Sequence, residues 1–162
     1  MINLRDIELD SKYLCDDNTW EWLDGQNELI NTIFDVIKTT NKYYVEFGYR
    51  KKLDTTDDLR INHKWNGLLL GIGCEDDKSI NYHKHHLKLN NITEIFKKYS
   101  VPIEFDFLCV DTDWSDWYLL YKILTIYKPR CIMVEINHIF NYDEDRVILY
   151  EDGSEKNIAR PS

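Results

Sequence analysis

Residues 105–116 read FDFLCVDTDWSD and join a nearly continuous apolar run to three carboxylates. The run over residues 105–110 is typical of a β-strand that is buried on both faces of a sheet. Asp111, Asp113 and Asp116 follow it directly and lead into a segment with helical spacing. Because the loops after parallel strands open into a crevice at the carboxyl edge of the sheet, this stretch predicts an α/β fold with its ligand site at the three aspartates.

Short apolar segments on either side of this stretch predict the other strands. Residues 43–47 (YYVEF), 67–72 (GLLLGI) and 131–136 (CIMVEI) are apolar over almost their whole length. Such runs, bounded by polar or glycine-containing turns, are typical of buried strands. Residues 80–86 predict a weaker strand, and residues 146–150 predict a strand at the edge of the sheet.

Helical periodicity separates these strands. Apolar residues recur at intervals of three and four over residues 19–38 and 91–99, and both segments begin with a capping-box pattern, at Asn18 and at Asn91. A polar stretch at residues 57–61 predicts a short helix between the first two strands.

A last helix is predicted from Asp113 to about residue 128, with Asp113 as its N-cap residue. Asp116 lies in its first turn, where a negative charge favours the positive end of the helix dipole. The spacing of the apolar residues predicts a core-facing side made of Trp117, Leu120, Tyr121 and Leu124.

The alternation of helices and buried strands predicts a Rossmann-like α/β fold, a doubly wound and mostly parallel sheet with helices on both faces. A chain of 162 residues suits one domain. We expect residues 1–17 to form an N-terminal arm and residues 151–162 a frayed tail.

Composition narrows the classes of partner and the cellular location. Asp and Glu number 29 against 20 Lys and Arg, and the net charge of −9 argues against general binding to nucleic acids or to anionic membranes. No apolar run approaches the roughly 18 residues that a membrane span needs. The four cysteines form no C-x-x-C pair, which favours reduced thiols and a cytoplasmic, intracellular protein. The sequence leaves open whether the protein forms a homo-oligomer or a complex with another protein.

Acids, glycines and an amide mark the ends of the four strong strands. The predicted topology brings these ends to one edge of the sheet, where backbone amides and carboxylates would suit a nucleoside-bearing ligand. The three aspartates could instead only cap a helix, but three acids are more than a cap needs. The residues at the strand ends are Glu46, Gly48, Gly71, Asp111, Asp113, Asp116, Glu135 and Asn137.

Three other features have competing interpretations. His83, His85 and His86 could suggest a metal site, but their spacing puts only two of them on one face of a strand, so solvated surface histidines are favoured. Trp114 suits stacking on a base or sugar as well as it suits packing in the core. The basic residues 50–52 stand where an anionic group could lie, although a solvated loop is the simpler interpretation.

Four segments in order carry a family resemblance: YYVEFGYRKK (43–52), WNGLLLGIG (65–73), IFKKYSVPIEFDFLCVDTDWSDWYLLYKIL (95–124) and YKPRCIMVEIN (127–137). Together they resemble the FkbM-type branch of class I S-adenosylmethionine-dependent methyltransferases. In that branch the corresponding motifs are V-E-F-G-A-x-D-G, G-V-L-I-E, F-D-L-L-S-I-D-I-D-G-x-D and Y-x-P-R-x-V-V-I-E-x-N. The resemblance implies a shortened class I methyltransferase fold with S-adenosylmethionine as its cofactor.

The resemblance also implies roles for individual residues. It implies cofactor contacts for Glu46, Gly48, the adjacent Tyr49, and Gly71. On the substrate side it implies catalytic roles for Asp111 and Asp113. It implies substrate contacts for Trp114, Asp116, Glu135 and Asn137.

Two positions depart from the family pattern. The Asp-Gly pair of the first motif is replaced at or near Lys51 and Lys52. The acid that accepts the ribose hydroxyls in the family falls at Gly71, with no carboxylate before Glu75. The substrate-side half of the pattern is therefore better kept than the cofactor-side half.

Three functional hypotheses follow. The first is methyl transfer from S-adenosylmethionine to a hydroxyl of a sugar or small metabolite, with Asp111 or Asp113 as general base. The second is a methyltransferase fold without catalysis that serves as a binding, regulatory or structural protein. A third uses the aspartates to hold a divalent cation for hydrolysis or glycosyl transfer.

Overall fold

The structure is a computed structural model, and it describes residues 19–50, 54–112, 115–135 and 150. Within these ranges the chain alternates between helices and short strands. In chain order the elements are α1 (Thr19–Ile37), β1 (Tyr43–Phe47), α2 (Asp57–Ile61), β2 (Asn66–Gly71), β3 (Tyr82–Lys84), α3 (Ile92–Lys98), β4 (Glu104–Val110), α4 (Asp116–Leu124) and β5 (Lys128–Val134).

The five strands form one sheet in the order β3-β2-β1-β4-β5, and all four pairings are parallel. The chain builds outward from β1 to β3 on one side, then crosses back and builds from β4 to β5 on the other. The strand order therefore reverses between β1 and β4. This confirms the Rossmann-like, doubly wound α/β fold, in which ligand crevices lie at the reversal point.

Helices cover both faces of the sheet. On one face, side chains of α3 and α4 such as Phe96 and Leu119 pack against Val45 and Phe47 of β1. On the other face, side chains of α1 and α2 pack against Tyr44 in the same strand. Alternate residues of β1 thus enter two separate cores, as expected of a strand that is buried on both sides.

The four strong strands lie within a few residues of their predicted positions, and the weaker third strand is shorter than expected. The largest shift is in β5, which begins at Lys128 and contains Pro129. Pro129 is tolerated because it stands near the start of the strand and, within the described residues, β5 pairs only with β4. The predicted arm, the Asn18 cap, the tail and all of the last predicted strand except Tyr150 lie outside the described residues.

The predicted core-facing side of α4 is wrong. Trp117 and Tyr121 are 62% and 67% exposed, and the helix instead buries Leu119 and Ile123. Leu120 is partly buried against the same core. The helix is apolar around most of its circumference, so periodicity alone could not decide which stripe meets the sheet.

The caps predicted for two helices also differ from the structure. Asn91 precedes α3, but its side chain caps no helical amide; it accepts from the Lys88 amide (2.8 Å) and donates to the His86 carbonyl (2.9 Å). The N-cap position of α4 is occupied by Ser115, whereas Asp113 lies outside the described residues. The capping box predicted at Asn91 is therefore absent, and α4 begins after Ser115 instead of after the predicted N-cap residue Asp113.

A buried ion pair connects the elements that meet at the amino-terminal ends of the strands. Asp106 of β4 is fully buried and accepts hydrogen bonds from the backbone amides of Thr40, Asn41 and Lys42 (2.8–3.0 Å). Arg130 of β5 donates to it at 2.8 Å. Arg130 also donates to carbonyls at the end of α1, so this pair joins α1, the turn before β1, β4 and β5.

No helix in the described part of the chain is both long enough and apolar enough to cross a membrane.

Candidate functional site

A cleft of about 330 Å³ opens at the carboxyl ends of β1, β2, β3 and β4, at the point where the strand order reverses. Each strand contributes one segment to its walls. The lining residues are Gly48, Tyr49 and Arg50 after β1, Gly71, Ile72 and Gly73 at the end of β2, His85, His86 and Leu87 after β3, and Asp111, Thr112 and Ser115 after β4.

Gly48 and Asp111 meet because β1 and β4 end at the same level, with Phe47 paired to Val110. Gly48 has a φ of +85°, and a Cβ atom at this position would stand 1.6 Å from the carbonyl oxygen of Asp111. The backbone segments after the two strands are therefore in direct contact. This contact requires a glycine at position 48, and no ligand is needed to account for the glycine.

Gly71 is constrained in a similar way from the neighbouring strand. A Cβ atom there would stand 2.6 Å from the carbonyl oxygen of Tyr49 and 3.2 Å from the Tyr82 hydroxyl. By contrast, Gly73 has nothing within 4 Å of the corresponding position. The second loop is thus tightly packed at its base and open at Gly73.

Asp111 lines the cleft, and its Oδ1 atom lies 3.7 Å from Nη2 of Arg50. The Arg50 amide in turn donates to Asp54 Oδ2 at 2.7 Å, which anchors the loop after β1. A carboxylate and a guanidinium from the two reversal-point strands therefore stand side by side at the cleft. This pair can contact a polar ligand with either charge.

Asp116 has a structural task in the loop between β4 and α4. Its Oδ1 atom accepts from the amide of Thr112 (2.7 Å) and from the hydroxyl of the same residue (3.0 Å). That hydroxyl also lies 3.0 Å from the Ser115 hydroxyl. Asp116 does not line the cleft, and its carboxylate holds the loop before α4 without capping an amide of the helix, so the geometry gives this residue a structural role.

Glu46 lies beneath α2 and does not line the cleft. It is 2% exposed, and both the hydroxyl and the amide of Thr56 donate to its Oε2 atom. Burial raises the pKa of Glu46 well above its usual range; nearby Asp54 and Asp57 add to the rise, and the bonds from Thr56 only partly offset it. Burial therefore favours the protonated form of this core acid in the folded protein.

Glu46→Gln is expected to stabilise the protein at neutral and alkaline pH. Folded Glu46 keeps a proton that the unfolded chain releases above its ordinary pKa of 4.5. The unfolded state then binds fewer protons, so stability falls as pH rises from that value towards the folded-state pKa, by about 1.4 kcal/mol for each unit of pKa rise. Glutamine keeps the acceptor for Thr56 without this loss. Urea denaturation across pH 4–9 measures the difference.

Glu94→Gln is the matched control, because Glu94 is exposed and forms an ion pair with Lys97 one turn along α3. Its effect should stay within about 0.5 kcal/mol at every pH. Equal pH slopes for the wild type and Glu46→Gln would contradict the assignment of Glu46 as a protonated core acid.

The remaining predicted site residues differ in whether they line the cleft. Tyr49 contributes to the cleft lining, but its hydroxyl donates to Asp57 Oδ1 (3.1 Å) on the α2 side, and burial and Asp57 raise its pKa. Glu135 is exposed after β5 and does not line the cleft. Asp113, Trp114 and Asn137 lie outside the described residues. The structure therefore brings Gly48, Tyr49, Gly71 and Asp111 to the cleft, and separates Glu46, Asp116 and Glu135 from it.

His85 and His86 also line the cleft, which the sequence did not predict. His85 Nε2 lies 2.8 Å from the Tyr99 hydroxyl, and the ring of His83 stacks on Tyr99 with centroids 4.0 Å apart. Burial lowers the pKa of His85, and nearby Lys98 adds to this effect. The interpretation of solvated surface histidines is wrong for His83 and His85. Their shared strand face was the available signal, but Tyr99, which occupies that face, comes from a distant segment.

Two chemical features of the cleft bear on a cofactor or metal. Among the described lining residues Asp111 is the only carboxylate, and the end of β2 presents Gly71, Ile72 and Gly73. No group of three His, Cys, Asp or Glu side chains within the described ranges could hold a metal ion.

No family model and no curated protein matches the chain. Support for a function therefore comes from this geometry and from the resemblance of the four motifs.

Proposed function

We propose that the protein binds S-adenosylmethionine in the cleft and transfers its methyl group to a hydroxyl of a sugar or small metabolite. One observation carries the proposal: the segments around Gly48 and Asp111, which resemble the first and fourth motifs of the FkbM-type methyltransferases, meet at the reversal point of the sheet. This is where open α/β sheets bind their ligands.

The size of the cleft and the open space beside Gly73 fit a ligand of this kind. A volume of about 330 Å³ lies at the lower end of the range for small-molecule sites. The open space beside Gly73 leaves room for a ligand to approach the backbone. The end of β2 fits less well, because no carboxylate stands there to accept ribose hydroxyls.

The role of the protein in the reaction would be mainly to position the reactants. When bound, the cofactor would supply an electrophilic methyl group, and in-line displacement by the acceptor oxygen would leave S-adenosylhomocysteine; such a displacement depends on alignment. Asp111 would accept a hydrogen bond from the acceptor hydroxyl and receive its proton. Arg50 stands beside that carboxylate and keeps a positive charge at the cleft.

A second candidate is a methyltransferase-like protein that binds a ligand without catalysis. The specific observation in its favour is the altered cofactor wall: Glu46 is buried away from the cleft, and Gly71 is packed against Tyr49 and Tyr82. Both residues are accounted for by contacts within the protein.

Calorimetric titration with S-adenosylmethionine and S-adenosylhomocysteine tests the proposal. Both should bind, and Gly73→Trp should weaken binding, because Gly73 lines the cleft and the space beside it is open to a bulky side chain. Ile61→Trp, on the exposed side of α2, is the matched control and should bind normally. An absence of binding at millimolar ligand would refute the methyltransferase proposal.

Asp111→Asn separates the two candidates. If Asp111 accepts the proton, the variant should bind the cofactor within a few-fold of the wild type, while methyl transfer to a hydroxyl acceptor falls by about 10²–10⁴-fold. Transfer from isotope-labelled S-adenosylmethionine to pooled sugars and metabolites measures this. Binding without transfer in the wild type would favour the second candidate.

A further inference from the structure

Three arginines lie in the described ranges, and two of them hold carboxylates inside the protein. Arg60 and Arg130 each donate to an aspartate, at 2.5 Å and 2.8 Å. Arg50 differs from both. Its side chain is 66% exposed and lines the cleft, and Nη2 lies 3.7 Å from Asp111 Oδ1, beyond the usual length of a hydrogen bond. Within the described residues no other carboxylate pairs with this guanidinium, so its donors are available to a ligand.

The backbone that carries this side chain is fixed. The Arg50 amide donates to Asp54 at 2.7 Å, and the preceding amide, of Tyr49, donates to the Leu70 carbonyl at 3.2 Å. Anchoring of this kind reduces the freedom that the loop loses when a ligand binds. A guanidinium also presents a planar fork of donors that matches the paired oxygens of a carboxylate or phosphate. Arg50 is therefore suited to bind an anionic group of a ligand.

The cleft wall after β4 offers hydrogen-bond acceptors instead. Thr112 donates its hydroxyl proton to Asp116 at 3.0 Å. Because a hydroxyl has only one proton, the Ser115 hydroxyl, 3.0 Å from that of Thr112, is the donor of the bond between them. Both protons are thus used within the loop, and the oxygen lone pairs remain for a ligand. The Asp111 carboxylate, when ionised, is also an acceptor only, so this wall suits ligand hydroxyl groups.

The donor and the acceptors stand close together. Because Nη2 of Arg50 and Oδ1 of Asp111 are 3.7 Å apart, a single sugar ring with an anionic substituent can reach both. The cleft volume of about 330 Å³ also favours a small ligand. On the basis of the methyl-transfer function proposed above, we propose that the methyl acceptor is a monosaccharide that carries a phosphate or carboxylate group. Arg50 binds the anionic group, and the wall after β4 binds the sugar hydroxyls.

Calorimetric titration of the full-length chain with glucose, its phosphate ester at the primary hydroxyl and glucuronate, with and without S-adenosylhomocysteine, tests the proposal. At low salt one of the two anionic sugars should bind at least about tenfold more tightly than glucose, and salt should reduce this preference. Arg50→Gln should remove the preference and leave the affinity for glucose within a few-fold. Arg50→Lys should keep part of it, because lysine retains the charge without the fork. Lys128→Gln removes one positive charge at the amino-terminal end of β5 and is the matched control, so its preference should equal that of the wild type.

Several outcomes would overturn the proposal. Equal affinities for charged and neutral sugars would do so, as would a preference that survives in Arg50→Gln or a failure of all three sugars to bind at tens of millimolar. A loss of S-adenosylhomocysteine affinity in Arg50→Gln would assign the guanidinium to the carboxylate of the cofactor instead.

The same titrations separate this proposal from the proposed function. If S-adenosylhomocysteine binds and no sugar preference is found, only the class of acceptor is wrong. If an Arg50-dependent sugar preference is found but S-adenosylhomocysteine does not bind, the methyltransferase function fails, and the anionic sugar is a ligand of the cleft without being a methyl acceptor.

Discussion

Gly48→Ala is expected to destabilise the protein by about 3–5 kcal/mol and to disrupt the cleft. The new Cβ atom would stand 1.6 Å from the Asp111 carbonyl oxygen, which is a contact with backbone that no rotamer change can relieve. The φ of +85° adds strain, since this region is unfavourable for residues with a side chain. Relief requires the ends of β1 and β4 to separate, and both carry walls of the cleft. Urea denaturation and calorimetric titration with S-adenosylhomocysteine measure the two effects.

Gly73→Ala is the matched control for this prediction. Gly73 lines the same cleft, but nothing lies within 4 Å of the added methyl group and its φ is not in the left-handed region. Its stability should stay within about 0.5–1 kcal/mol of the wild type, with a slight gain favoured because alanine restricts the unfolded chain. Equal stabilities for the two alanine variants would show that the backbone segments after β1 and β4 are not in direct contact as described.

Asp106→Asn is expected to cost about 3–5 kcal/mol, the usual consequence of removing one charge from a buried ion pair. The amide group would turn a donor towards backbone amides that now donate to the carboxylate, and Arg130 would lose its charged partner. The local loss of structure should occur at the amino-terminal ends of the strands, away from the cleft. Thermal and urea denaturation report the stability, and hydrogen exchange in β1 and β5 locates the damage.

The same pair should make the protein sensitive to acid. Burial by itself raises the pKa of Asp106, but the hydrogen bonds from Arg130, Thr40 and Lys42 outweigh it, and the pKa ends below its usual value of 3.8. A lowered folded-state pKa means that the unfolded chain binds the proton more readily. The stabilisation is therefore complete above pH 3.8 and is lost as pH falls through the folded-state pKa. Asp106→Asn should remove this part of the acid transition.

Glu104→Gln is the control for Asp106→Asn, because it makes the same chemical change two residues away in β4. Glu104 is exposed and lies 3.8 Å from Lys128, so its loss should cost less than about 1 kcal/mol. A small effect for both variants would mean that Asp106 and Arg130 do not hold the edge of the sheet together.

Much of the fold could be predicted from local pattern. The runs in β1, β2 and β4 are apolar over almost their whole length, and only a strand buried on both faces accounts for that pattern. The same reasoning placed Gly48, Gly71 and Asp111 at one edge of the sheet, where the structure has them. These predictions depend on strand ends and connectivity, which the order of residues along the chain specifies directly.

Other predictions failed where a side chain had two plausible environments. Glu46 precedes Gly48 by two residues, yet alternation along β1 turns it beneath α2 and away from the cleft. The histidine spacing predicts solvated side chains, but Tyr99, which follows α3, contacts both His83 and His85. Asp106 lies within the apolar run of β4, and its partner Arg130 is 24 residues away in the sequence, so no local pattern indicates the ion pair.

The alternation of helices and buried strands, the strand ends that form the cleft and the acidic balance all follow from residue type and spacing along the chain. Which stripe of α4 is buried, which carboxylates reach the cleft and which are held inside the protein depend on the packing of the folded chain. Those outcomes depend on the partner that each face meets. Partners such as Asp111 for Gly48, or Arg130 for Asp106, come together through the strand order of the sheet and through no local pattern.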